Sequence, residues 1–127
     1  MRAYVGLTFD EVSALISGES LKIEILFAAT AEFVATHSEL DEEEREFILT
    51  MLAAEESLDL RDEGFGFVLA GDVPAHVIIE EGADSIKVSE EINREWAACI
   101  FLVSPDGEDL TWYAIQEVEN LLPSWSS

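Results

Sequence analysis

The sequence predicts a single α+β domain built on one mixed sheet of about four to six strands, with helices mainly on one face. Three observations predict it. Short runs with an apolar residue at every second position alternate along the chain with longer stretches whose apolar residues recur every three or four. A hydrophobic content of 49% gives 127 residues enough apolar surface for one core, so the chain does not read as disordered. No internal repeat, low-complexity tract or linker divides it, so residues 1–127 read as one domain with a short tail at 123–127.

The elements follow in order. RAYVGL, residues 2–7, puts Ala3, Val5 and Leu7 on one face and Tyr4 on the other, as a strand does. Thr8 and Glu11 form a T-x-x-E capping box for a helix whose apolar stripe runs from Phe9 through Val12, Leu15 and Ile16 to Gly18. Alternation over residues 22–29 predicts a second strand, and Thr30 caps a short helix through Phe33 and Val34. Asp41, with Glu44 three residues on, opens a long helix over about 41–60. Phe47, Met51, Ala54 and Leu58, flanked by Ile48 and Leu52, are expected to face the core. Phe65–Ala70 reads as a strand stopped by Gly71 and Pro74, AHVIIEEG and SIKV as two more, followed by a helical turn capped at Ser89. ACIFLV, residues 98–103, is the most continuously apolar segment and is expected at the centre of the sheet. SPDGED is a turn, and DLTWYAIQEVENLL is expected to close the fold as a helix ending before Pro123.

Charge narrows the function more than any motif. Against 28 Asp and Glu stand 6 Lys and Arg, a formal net charge of -22. Such a surface repels phosphates and anionic lipid and attracts basic proteins and cations. Its bland meaning is solubility or adaptation to salt; its sharp meaning is mimicry of the DNA phosphate array. The densest block, SELDEEEREF, is largely explained by helix physics, because Glu42, Glu43 and Glu44 fill a first turn where the helix dipole favours negative charge. Carboxylates of one helical turn diverge around the axis, so no metal site is expected there. Glu55, Glu56 and Asp59 crowd the opposite end, where the dipole opposes them. Glu55 is expected to be exposed or paired with Arg61.

Familiar chemistry is missing. His37 and His76 sit in no metal-binding spacing, and no G-x-S-x-G, Walker or G-x-G-x-x-G signature occurs. Cys99 is the lone cysteine, set in an apolar run where a buried inert thiol is expected. Six scattered cations supply no basic patch for nucleic acid. No cofactor is implied. The beginning of the sequence has no apolar run of signal-peptide length and no segment reaches membrane-spanning length, so a cytoplasmic location is expected.

The C-terminal segment carries the one localised functional expectation. Read as a helix, it puts Leu110, Ala114, Ile115, Val118, Leu121 and Leu122 on one arc. Tyr113, Gln116, Glu117 and Asn120 fall on the opposite arc, with Trp112 on its shoulder. Aromatics beside an amide and an acid make a recognition surface, so Trp112, Tyr113, Gln116 and Glu117 are the candidate binding residues. Packing of the two aromatics inside the domain is the competing explanation.

The opening MRAYVGLTFDEV, the central FVLAGDVP and the closing DLTWYAIQEVENLL together resemble a family of short, uncharacterised actinobacterial proteins. Its members begin MRVY-, carry a strand ending in A-x-DVP and end in a WYA-x-QE helix. The resemblance spans nearly the whole chain, although residues 103–109 replace a longer stretch found in other members. It implies an intact bacterial domain and no mechanism. The expectation is a non-enzymatic interaction module whose partner is a protein with a basic surface, binding neither nucleic acid nor membrane. A DNA-mimic inhibitor and a small enzyme of unrecognised type are the alternatives, and the oligomeric state is not fixed by the sequence.

Overall fold

The structure, a computed structural model, describes residues 1–61 and 64–125. The described residues form the strands β1 (Arg2–Leu7), β2 (Ile25–Ala28), β3 (Gly66–Asp72), β4 (Ile78–Glu81), β5 (Ser85–Val88), β6 (Ala97–Val103) and β7 (Leu110–Ala114). The helices are α1 (Phe9–Ile16), α2 (Ala31–Thr36), α3 (Glu42–Asp59) and α4 (Ile115–Trp125). Short 3-10 turns precede β4 and β6. The class is α+β, as the sequence predicts. The seven strands form one sheet in the order β4-β5-β2-β1-β3-β6-β7, more strands than expected. Every pairing among the described residues is antiparallel, not mixed. Alternating apolar residues fix which face a side chain takes but carry no information on strand direction.

Helices cover both faces, not mainly one. Alternation in β1 and β3 explains why. Ala3, Val5, Leu7, Phe67 and Leu69 join one core with Val12, Leu15 and Val118 of α1 and α4. Tyr4, Val68 and Ala70 join a second with Phe33, Leu49 and Ala53 of α2 and α3. Two strands that are apolar on both faces need two covers. They are also the middle of the sheet, so β6 lies one strand in from the edge and not at the centre.

The local start signals form as the sequence indicates. Thr8 Oγ1 accepts from the Glu11 amide at 3.2 Å, and Glu11 Oε1 accepts from the Thr8 amide at 2.9 Å. Asp41 Oδ1 accepts from the Glu44 amide at 2.8 Å, and Glu44 returns the contact at 3.3 Å. The helical turn expected at Ser89 forms instead at Arg94–Trp96, where Asn93 caps it. Alpha-helix α4 continues through Pro123 to Trp125, so the expected tail at 123–127 is helical as far as the described residues go.

The expected buried stripe of α3 holds for Ala54, Leu58, Ile48 and Leu52, which sit in or against the second core, and is corrected at Phe47. Phe47 is 61% exposed, and the buried residues are Leu49, Thr50, Ala53, Ala54 and Ser57. The reason is a close approach of helix to sheet. A Cβ on Gly6 would lie 2.5 Å from the Ser57 nitrogen and 2.6 Å from the Ala53 oxygen. A Cβ on Gly66 would likewise collide with the Ser57 hydroxyl. Small residues on α3 seat against glycines of β1 and β3, and Phe47 is left turned outward.

Candidate functional site

The C-terminal segment changes secondary structure midway, which separates the four candidate residues. Residues 110–114 form β7, and the helix starts only at Ile115. Trp112 pairs in register with Phe101 and stands on the α3 side of the sheet, 56% exposed. Tyr113, one residue on, turns to the opposite face beside Ile100. Its ring meets Trp125 edge-on at 5.2 Å, and Trp125 in turn meets Phe67 at 5.7 Å. Gln116 and Glu117 lie exposed in the first turn of α4. Glu117 Oε1 accepts from the Ala114 amide at 3.1 Å, so this carboxylate helps start the helix. The single polar arc expected from a continuous helix does not form. Trp112 alone of the four projects a large apolar surface into solvent.

Its surroundings come from the sheet. Beta-strand β7 is an edge strand. Alpha-helix α3 lies over β1 and β3, and Trp112 stands beyond it. The Cys99 thiol beneath is buried, and that burial pushes its pKa up, while the Trp112 indole beside it pulls the other way. Cys99 is buried, as the sequence implies.

The two sheet edges differ sharply. Beta-strand β4 is four residues long, carries Glu80 and Glu81, and has an irregular register between Ile78 and Glu80. Short length, charge and a bulge are the usual protections of an open edge. Beta-strand β7, LTWYA, carries no charged residue in a chain that is 27% charged. Glu108 and Asp109 stand exposed just before it.

Other recesses show less chemistry. A cavity of about 270 Å³ is lined by Arg2, Tyr4, Glu42, Arg45 and Glu46, among others. Its cations hold the chain together: Arg2 pairs with Asp72 at 2.9 Å, and the Arg45 guanidinium donates to the carbonyls of Leu40 and His37. Burial, helped by the charge of Glu46, pushes the Tyr4 phenol up to about 12, so it keeps its proton at neutral pH and offers no base. A shallow groove of about 660 Å³ runs between Lys22–Ile25 and Val88–Glu91, open and mixed in charge. No group of three or more His, Cys, Asp and Glu among the described residues is placed to hold a metal ion. No helix of the described residues is long and apolar enough to cross a membrane.

Sequence reasoning missed Glu56. Glu55, which it singled out, is exposed, and Arg61 donates to the Pro105 carbonyl at 3.0 Å. Glu56 is the half-buried carboxylate of the pair, and its signal was available: 56 follows Leu49 and Leu52 at helical spacing on the flank of the true buried face.

Residues 1–109 match a family described as "Family of unknown function (DUF6912)". The chain belongs to this family. The DUF6912 match runs from β1 to the turn before β7, so Trp112, Tyr113, Gln116 and Glu117 lie past the matched stretch. No curated protein and no solved structure matches the chain.

Proposed function

We propose that this DUF6912 protein is a non-enzymatic interaction module that takes a basic protein partner along the β7 edge, with Trp112 as the anchor. One observation carries the reading. Of the two edge strands among the described residues, the one that carries no charge bears a half-exposed tryptophan, while the other is short, bulged and ends in two glutamates. An extended segment of the partner adds to β7 through backbone hydrogen bonds, which supply affinity without sequence. Trp112 supplies the large rigid apolar contact typical of an interface hot spot. Glu108 and Asp109 at the entrance favour Lys or Arg on the incoming strand, and the overall charge of -22 steers such a partner in. The cytoplasm is the proposed setting, supported by a single buried cysteine that calls for no oxidising compartment.

The test compares affinity capture from lysate by the wild type, Trp112→Ala and Thr111→Lys, at low and high salt. Thr111 is exposed on β7, so a lysine there puts a charge on the edge without touching the core. Proteins identified by mass spectrometry are then purified and titrated against each variant. Expected is a basic protein whose affinity falls in both variants while melting temperatures hold. Equal affinity for all three proteins overturns the reading.

A further inference from the structure

The outward face of α3 leaves an apolar recess that the β7 reading does not use. Leu40, Phe47 and Ile48 line it with Glu43 and Glu44, enclosing about 410 Å³ of open space. Phe47 is 61% exposed, the largest exposure among the described large apolar side chains. The close fit of Ala53 and Ser57 against Gly6 and Gly66 sets the rotation of α3, and that rotation turns Phe47 outward. Leu40 sits just before the Asp41 cap, where an apolar residue at the fourth helical position would close a hydrophobic staple. That position is Arg45, whose guanidinium reaches back to the Leu40 carbonyl instead. The Leu40 side chain is left lining the same recess as Phe47.

We infer that this face is a second docking surface, and that its occupant is a basic amphipathic helix from a partner protein. The apolar floor calls for a stripe of Leu, Ile or Phe. The charge around it selects the rest: Glu42, Glu43 and Glu44 fill the first turn of α3. Leu40 to Ile48 spans about two helical turns, enough for two or three anchors spaced three or four residues apart on the incoming helix. A second copy of this chain is disfavoured as occupant, because it would bring the same acidic face and another net charge of -22. The inference stands on Leu40 and α3 and does not depend on the β7 edge.

The probe is a synthetic 14-residue helix of Leu and Lys with a Leu stripe at helical spacing, compared with its Lys→Glu counterpart. Fluorescence anisotropy at 0.15 M salt measures affinity, and backbone amide shifts in NMR map the contact. Expected is binding of the basic peptide alone, with shifts centred on residues 40–48. Phe47→Ala should weaken it by about tenfold or more, the size of a lost aromatic anchor. Glu43→Gln should weaken it less and flatten its salt dependence. Trp112→Ala should leave it unchanged, which separates this surface from the β7 edge. An unchanged affinity in Phe47→Ala reduces the interaction to diffuse charge attraction and overturns the inference. Shifts centred on β7 overturn it too, as does a concentration-dependent dimer in ultracentrifugation that Phe47→Ala abolishes. Phe47 is exposed enough that loss of fold is not expected, and Phe47→Asp, read by the same shifts, provides a second variant.

Discussion

The backbone amide of Gly6 donates to Glu56 Oε1 at 2.7 Å, joining the middle strand of the sheet to the long helix above it. Beta-strand β2 pairs with β1 only at Ala3 and Tyr4, so the sheet has ended beside Gly6 on that side. Glu56 supplies the acceptor that a neighbouring strand would have given.

That arrangement fixes a pH dependence. Burial raises the Glu56 carboxyl above its ordinary value; the Gly6 amide opposes this and the charge of Glu11 adds to it. A folded-state pKa above the unfolded one means that folding favours the protonated form. The associated stability is fully present below the unfolded pKa and is lost as pH rises through the folded one. Glu56→Gln keeps an acceptor for Gly6 and removes the charge. Its melting temperature at pH 7 should equal or exceed that of the wild type, and the difference should shrink on acidification below the ordinary Glu range. Glu56→Ala should instead cost about 1–3 kcal/mol through an orphaned amide. Equal stability of the two variants would mean that an acceptor for the Gly6 amide contributes nothing.

The seam beside it is equally specific. Gly6→Ala puts a methyl against the backbone of Ala53 and Ser57, which cannot swing aside as a side chain would. The helix has to lift, at a cost of about 1–3 kcal/mol by analogy with overpacked cores. Ala53→Leu should act in the same direction. Denaturant unfolding of the two variants measures this, and wild-type midpoints would show that α3 rides higher than its contacts imply.

Asp41 begins that helix as a cap. Asp41→Ala should lose about 0.5–2 kcal/mol, and Asp41→Asn or Asp41→Ser should restore most of it. Calcium and magnesium titrations should be the same in all of them. Loss of a tight stoichiometric cation site in any replacement would contradict the hydrogen bond from Glu44 as its main role.

The caps at Thr8, Thr30 and Asp41 were legible because each capped amide lies three residues on in sequence. The α3 seam was not, since Gly6 and Ser57 meet across 51 positions and a hydrophobicity pattern ranks Phe47 and Met51 above Ala53 and Ser57. What decides the seam is how near two backbones come, which size and not hydrophobicity reveals. Residues 109–122 failed for a different reason: their apolar residues fit a helical arc from end to end. The local chemistry pointed to a break, with Thr111, Trp112 and Tyr113 favouring a strand. Glu117 stands three residues beyond Ala114, where a helix start would place an acid. Overlapping periods hid a strand and a helix inside one amphipathic pattern.

Salt should stabilise the protein. The ion pairs that form, such as Arg2 with Asp72 and Arg94 with Glu119, leave most of the 28 carboxylates without a cation. Counter-ions screen the remaining repulsion over about 10 Å at 0.1 M. Melting temperature should therefore climb with sodium chloride. A flat profile would show that cations are already held at the surface.

Neighbouring aromatics on β7 should answer opposite questions. Tyr113 faces the core, where its ring meets Trp125, which leans on Phe67 and ties the end of α4 to the sheet. Tyr113→Ala breaks that chain of rings and should cost more than about 1 kcal/mol, with the last turn of α4 fraying first. Trp112 points the other way into solvent, so Trp112→Ala should stay within about 0.5 kcal/mol of wild type. Partner affinity should reverse the order, falling with Trp112 and persisting in whatever fraction of the Tyr113 variant is folded. Thermal melts and amide exchange over residues 115–125 read the first half, and titration with the captured partner reads the second. If Trp112→Ala lowers the melting temperature as far as Tyr113→Ala does, the indole is cover for Cys99 and Phe101, and the β7 edge loses its anchor.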